Sequence, residues 1–166
     1  MLSAIVSDTL LFKSPTCTED DKKIASELEK ISGLKVENYG LDLLKAGTDL
    51  SEFTSDEIIT LDAKEFNFNG IKSVVAQINT ASIPDVMKNQ ADIELAINNY
   101  ILKHDLDLFV FAITDIIESN SQVIALGKNA ELVEKSYKVR LENNTALLEG
   151  VVSRKKQIIP ILTENA

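Results

Sequence analysis

The spacing of apolar positions divides the chain into alternating helical and strand-like stretches. Residues 2–12 (LSAIVSDTLLF) predict a mostly buried helix, with Leu2, Ile5, Val6, Leu10 and Phe12 apolar, and Pro15 opposes its continuation. Thr18 and Asp21 have the capping-box spacing and predict a helix running to about Ser32, with Gly33 as its C-terminal stop. A short helix is predicted near Gly40–Lys45, ending at Gly47, and another after Thr54. Asn69-Gly70 is the favoured pair for a two-residue hairpin turn, so 66–78 (FNFNGIKSVVAQI) predicts a β-hairpin. From Ile83 the positions Val86/Met87, Ile93, Ala96/Ile97 and Tyr100/Ile101 predict one long helix, with Pro84 in its first turn. The apolar run 106–114 (LDLFVFAIT) predicts a buried central strand and 121–127 (SQVIALG) its neighbour. A helix near Asn129–Ser136 and a short strand around Tyr137–Leu141 follow. The end, VVSRKKQIIPILTEN, reads as a strand-like Val151-Val152, a tribasic run, and an apolar stretch broken by Pro160. Together these predict one α/β domain over residues 1–166, a mixed β-sheet flanked by helices.

Composition narrows the function. Of 166 residues, 45% are hydrophobic and 26% charged, ordinary for a globular domain. A formal net charge of −9 disfavours nucleic acid and anionic membranes as partners, because long-range repulsion opposes both. No run of about 18 apolar residues marks a membrane span. The N-terminal apolar stretch lacks a preceding basic residue and is interrupted by Asp8, which argues against a secretory signal. A single cysteine, Cys17, excludes an intramolecular disulfide and fits a reducing cytoplasm. With one cysteine and one histidine, His104, a zinc site of the usual nitrogen and sulfur ligands cannot be built. Any triad of the Ser-His-Asp or Cys-His type would have to use His104.

Candidate chemistry centres on Arg154-Lys155-Lys156, the one tribasic cluster in an acidic chain. Such a run is ordinarily a solvated face. Placed at the end of a strand in an α/β domain, it suits phosphate, with Arg as a bidentate donor and Lys as a point charge. Lys13, in FKSPT, is either a snorkelling surface lysine or a cation at a junction lined by Ser14, Thr16 and Thr18. There the helix after Thr18 could aim its N-terminal amides at an anion. Ser7-Asp8 inside an apolar helix needs a structural partner or serves a site. Asp105, Asp107 and Asp115 flank the central strand and offer oxygen ligands to a divalent metal, or hold nothing. His104 is expected to meet the helix C-terminal dipole or solvent. Cys17 lies beside a helix start, which lowers a thiol pKa, or is a small packed residue. The six glycines form no phosphate loop.

The blocks LSAIVSDTLLFKSPTCT (2–18), YGLDLLKAGTDL (39–50), LDAKEF (61–66), DLFVFAITDI (107–116) and LENNTALLEGVVSRKKQ (141–157) occur in order along nearly the whole chain. In them the sequence resembles the C-terminal half of the manganese-dependent inorganic pyrophosphatases of family II, within the DHH phosphoesterase superfamily. No DHH triplet is present. The resemblance implies a substrate-binding domain whose N-terminal, manganese-binding partner domain is not included, with magnesium arriving on the pyrophosphate. It implies that Lys13, Arg154 and Lys155 grip the phosphates. Lys156 is not assigned a contact, since an alternating geometry would point it elsewhere. It further implies an isolated domain that is monomeric, cytoplasmic, without a tightly bound metal of its own, and inactive alone. Alternatives are a domain of another DHH phosphoesterase, such as an exopolyphosphatase, and a non-catalytic oxyanion-binding module.

Overall fold

A computed structural model describes residues 1–48, 50 and 52–166; Asp49, within the block 39–50, lies outside the described residues. The chain forms two compact units, Met1–Asp49 and Leu50–Ala166. Among the described residues no helix is long and apolar enough to cross a membrane.

The first unit is helical: α1 (Leu2–Thr9), α2 (Glu19–Ser32) and α3 (Val36–Ala46). The predicted capping box is present at Thr18/Asp21, and Gly33 closes α2 at φ 71°. α3 starts earlier than predicted, at Val36. α1 is shorter than predicted. Leu10, Leu11 and Phe12 all take left-handed backbone (φ 46°, 52° and 67°), so the helix reverses its hand after Thr9. The Thr9 hydroxyl holds this turn, donating to Ile5 O at 2.6 Å and accepting from the Phe12 N–H at 3.1 Å. Gly40 makes room for it: a Cβ there would collide with the Leu11 side chain and lie 3.2 Å from Val6 Cγ1.

The second unit carries α4 (Ser55–Ile58), β1 (Ala63–Phe68), β2 (Ile71–Thr80), α5 (Ile83–Met87), α6 (Gln90–His104), β3 (Leu108–Asp115), β4 (Asn120–Leu126), α7 (Glu131–Tyr137), β5 (Thr145–Leu148), a π-helical turn (Arg154–Ile158) and α8 (Ile159–Asn165). The strands lie in sequence order, with β2 and β3 parallel and the other neighbours antiparallel. This is the predicted mixed α/β sheet. Strand period two splits its core. Leu108, Val110 and Ala112 of β3 face a layer with Ile158 and Leu162, while Phe109, Phe111 and Ile113 face a layer with Ile93 and Ile97. β3 is buried at every position, as its apolar run predicts. Asn69 and Gly70 turn the β1–β2 hairpin at φ 49° and 94°, the positive values its type demands.

Four further expectations are corrected. The long helix from Ile83 is two, α5 and α6, broken at Lys88-Asn89, where Asn89 leaves helical geometry at φ −102°, ψ 19°. Residues 137–141 form no strand. α7 continues through Tyr137, Lys138 ends it at φ 55°, and the Leu141 N–H is taken by the Glu134 carboxylate at 2.7 Å; the strand is Thr145–Leu148. Val151-Val152 is buried but not sheet, since the Val152 N–H donates to the Gln157 side chain rather than to a strand. Pro160 does not break the last apolar stretch: it occupies the first turn of α8, where its missing N–H costs nothing.

Candidate functional site

Beneath the tribasic run lies a polar patch in an otherwise apolar layer. Gln77 shares a sheet face with Val75, Thr114 with Ala112, and Ser121 with Val123, so the three are neighbours on one face in the C-terminal half of the parallel β2–β3 pair. Gln77 Nε2 donates to Thr114 Oγ1 at 2.7 Å and to Val152 O at 3.0 Å. The Thr114 and Ser121 hydroxyls meet at 2.8 Å, and Ser121 Oγ donates to Val151 O at 2.7 Å. Buried polar groups are tolerated only when bonded, and the bonds to Val151 O and Val152 O tie the irregular 150–153 segment to the sheet. Gln157 completes the tie from the other side. Its Oε1 accepts from Val152 N and Ser153 N, its Nε2 donates to Gly150 O, and its own carbonyl accepts the buried Tyr137 hydroxyl at 2.8 Å. Burial pushes the Tyr137 phenol up, so it stays a donor.

Arg154 opens the π-helical turn that grows from this segment. Ser153 caps it, its hydroxyl accepting from Lys156 N at 3.3 Å. The Arg154 backbone N–H donates to Gln77 Oε1 at 3.1 Å. Its guanidinium lies against the β1–β2 edge, donating through Nη1 to Asp62 O and Val75 O and through Nη2 to Asp62 Oδ1 at 2.8 Å. The Arg154 side chain is 10% exposed and that of Asp62 52%. Lys155 and Lys156 are both exposed. Because the run is helical, the alternating geometry that set Lys156 apart does not hold, and residue order alone does not separate it from Lys155. Lys64 is exposed on β1 and pairs with Val75, so it shares the sheet face of the Arg154 seat. It adds a cation that no basic run in the sequence signals.

Lys13 belongs to the first unit, whereas Arg154 and Lys155 belong to the second. It is exposed and directly follows the left-handed turn. The hydroxyls beside it are spent internally. Ser14 and Thr16 bond each other at 2.7 Å, Thr16 Oγ1 donates to Asp8 O, and Thr18 Oγ1 bonds Asp21. The start of α2 is no anion seat either: the Asp21 N–H is capped, and Glu19, Asp20 and Asp21 crowd the first turn with negative charge. Asp8 is exposed, so burial imposes no demand for a partner.

The acids flanking β3 do structural work. Asp107 accepts from Lys128 Nζ at 2.7 Å and Lys72 N at 2.8 Å, which hold its carboxyl below the usual carboxylate range. Asp105 pairs with Lys72, and Asp115 Oδ1 accepts the N–H groups of Ile117 and Glu118. Among the described residues no three His, Cys, Asp or Glu gather as a metal-holding group. His104 stacks on Tyr100, with ring centroids 4.1 Å apart. Burial pushes the Cys17 thiol up, so the helix start does not activate it.

Residues 41–165 match the DHHA2 domain family. A manganese-dependent inorganic pyrophosphatase of Bacillus subtilis is 56% identical over 164 residues, 99% of this chain and 53% of the relative. A solved Methanococcus jannaschii chain, described as a family II inorganic pyrophosphatase, superposes with a TM-score of 0.89 at 41% identity, again over 99% of this chain and 53% of that one. The chain thus spans about half the length of the curated relatives it matches, corresponding to their C-terminal part. A family match over three quarters of the sequence, on the mixed sheet that seats Arg154, makes this chain a member of the DHHA2 domain family.

Proposed function

We propose that this chain is the substrate-binding part of a cytoplasmic manganese-dependent inorganic pyrophosphatase, in which Arg154 and Lys155, with Lys13 from the first unit, hold the phosphates of pyrophosphate. The observation that carries the proposal is the fastening of Arg154: its backbone is bonded to Gln77 and its guanidinium to Asp62 and Val75, beside two exposed lysines, Lys155 and Lys156. Its relatives' names supply the reaction class. Manganese, when bound by the partner N-terminal domain, supplies an activated water for attack on phosphorus. The described residues of this chain do not fit such an ion, since no three acids, imidazoles or thiols gather.

The chain's own contribution is positive charge of fixed geometry. During phosphoryl transfer, charge spreads over the equatorial oxygens and gathers on the leaving phosphate. A guanidinium held on its strand edge can donate two parallel hydrogen bonds to one phosphoryl group, while an ammonium follows charge without directional demand. Preset donors need no reorganisation as the charge moves, which is what makes such contacts useful to a reaction.

The test is a calorimetric titration of the chain with pyrophosphate. Arg154→Ala and Lys155→Ala should each weaken binding by an amount equivalent to about 1.5–3 kcal/mol, the range for a hydrogen bond to a charged group. Binding unchanged in both variants would sink the proposal. Tripolyphosphate in a parallel titration separates this reading from a polyphosphatase domain, which should favour the longer anion.

A further inference from the structure

The Arg154 guanidinium has five N–H donors in a fixed fork. Nη1 gives both of its hydrogens to carbonyls, Asp62 O and Val75 O at 3.2 Å, and Nη2 gives one to Asp62 Oδ1 at 2.8 Å. Because Asp62 binds Nη1 as well, it approaches the end of the guanidinium away from Nε. That leaves Nε–H and the other Nη2–H, two parallel donors on one side. Among the described residues neither has an acceptor, although the side chain is only 10% exposed. The Nε atom is not sealed from solvent, so an anion can reach it.

Asp62 is itself firmly placed. Its carbonyl also accepts the Gln77 N–H at 3.1 Å, extending the β1–β2 pairing past Ala63. One residue, Gln77, therefore fixes the Asp62 carbonyl through its backbone and the Arg154 backbone through its side chain. We propose that Asp62 is a positioning residue for oxyanion binding: its carbonyl and carboxylate take the Nη end of Arg154 and turn the Nε–Nη2 side outward as a two-toothed seat for a single phosphoryl group. The proposal rests on the reading of Arg154 as a phosphate ligand. It adds that a carboxylate beside the site assists anion binding, the reverse of what charge alone would give. A mere rival anion would weaken binding, and its removal would tighten it.

The experiment is NMR of the chain with ¹⁵N-labelled arginine and lysine, alone and titrated with pyrophosphate. In the unsubstituted chain, rotation of the Arg154 guanidinium about Nε–Cζ should be slow, and pyrophosphate should shift its Nε–H resonance. Asp62→Ala should speed that rotation and weaken pyrophosphate binding about tenfold, since an unheld guanidinium must be ordered on binding. Asp62→Asn keeps the Oδ1 acceptor while removing the charge; it should keep rotation slow and affinity within about threefold. Tighter or unchanged binding by Asp62→Ala overturns the proposal, as does unchanged rotation in that variant. So does a Lys155 signal that responds to pyrophosphate while the Arg154 Nε–H does not, an outcome that leaves Arg154-independent phosphate binding standing. If neither residue responds, the phosphate-binding reading itself falls.

Discussion

Arg154 stands out in the sequence because three adjacent cations in a chain of net charge −9 are conspicuous. What makes it a fixed donor does not, because its partners are far off along the chain: Asp62 is 92 residues away and Gln77 is 77. A glutamine in a β-rich run reads as an ordinary outward polar position. Only the register, Gln77 opposite Ala112 and beside Thr114 and Val152, gives its side-chain amide three hydrogen-bond partners. Gln77→Leu should therefore destabilise the second unit by about 1–3 kcal/mol, the cost of leaving buried polar partners unsatisfied, read as a lower urea midpoint without a changed slope. Asp107 gives a prediction of opposite visibility, in pH. Lys128 first, and the Lys72 N–H next, lower its pKa in the folded chain. A depressed carboxylate contributes stability that is present above its unfolded pKa and lost as pH falls through the lower, folded value. Urea unfolding from pH 7 towards acid should thus lose stability more steeply in the unsubstituted chain than in Asp107→Asn, and parallel curves would show the pairing contributes nothing.

At the scale of elements, local chemistry was legible where it is self-contained. The Thr18/Asp21 box and the Asn69-Gly70 turn are decided within four residues, and both stand where the sequence puts them. Elements fixed by distant partners were not. Residues 137–141 look strand-like, yet Glu134 reaches forward to cap Leu141 and the chain delays its strand to Thr145. Val151-Val152 looks like a strand but is pinned by Gln157, so the tribasic run begins a helical turn instead of ending a strand. The end of α1 is an exception among local features: a threonine hydroxyl bonded within four residues on either side outweighs the helical apolar spacing of Leu10 and Phe12. Because its box is local, α2 offers a clean check. Thr18→Ala should lower the stability of the first unit by about 1 kcal/mol through loss of the N-cap, seen as a lower thermal midpoint with the second unit's amide signals unmoved. An equal shift of signals in both units would show the effect is not local.

At the scale of the whole molecule, the fold class was readable because the run at β3 is buried on both faces, and such a strand demands layers above and below it. The division into two units was not readable: no proline-rich or low-complexity linker marks residues 49–50. Function at this scale turns on what half of a larger relative can do. The chain covers 53% of the Bacillus subtilis enzyme, and its described residues gather cations at Arg154 but no metal-holding acids. On the proposed reading, a cation clamp lacking a source of activated water binds pyrophosphate and leaves it whole. Phosphate release from pyrophosphate by the chain alone should therefore stay at background with manganese and magnesium present. Adding the separately produced N-terminal part of the Bacillus subtilis relative should raise it well above either piece alone, and Arg154→Ala should abolish most of that gain while leaving manganese uptake by the mixture unchanged. Hydrolysis by the unaided chain would mean that it assembles its own nucleophile, and the division of labour between the two halves would have to be abandoned. Loss of manganese uptake with Arg154→Ala would instead move that residue from holding phosphate to supporting the metal half.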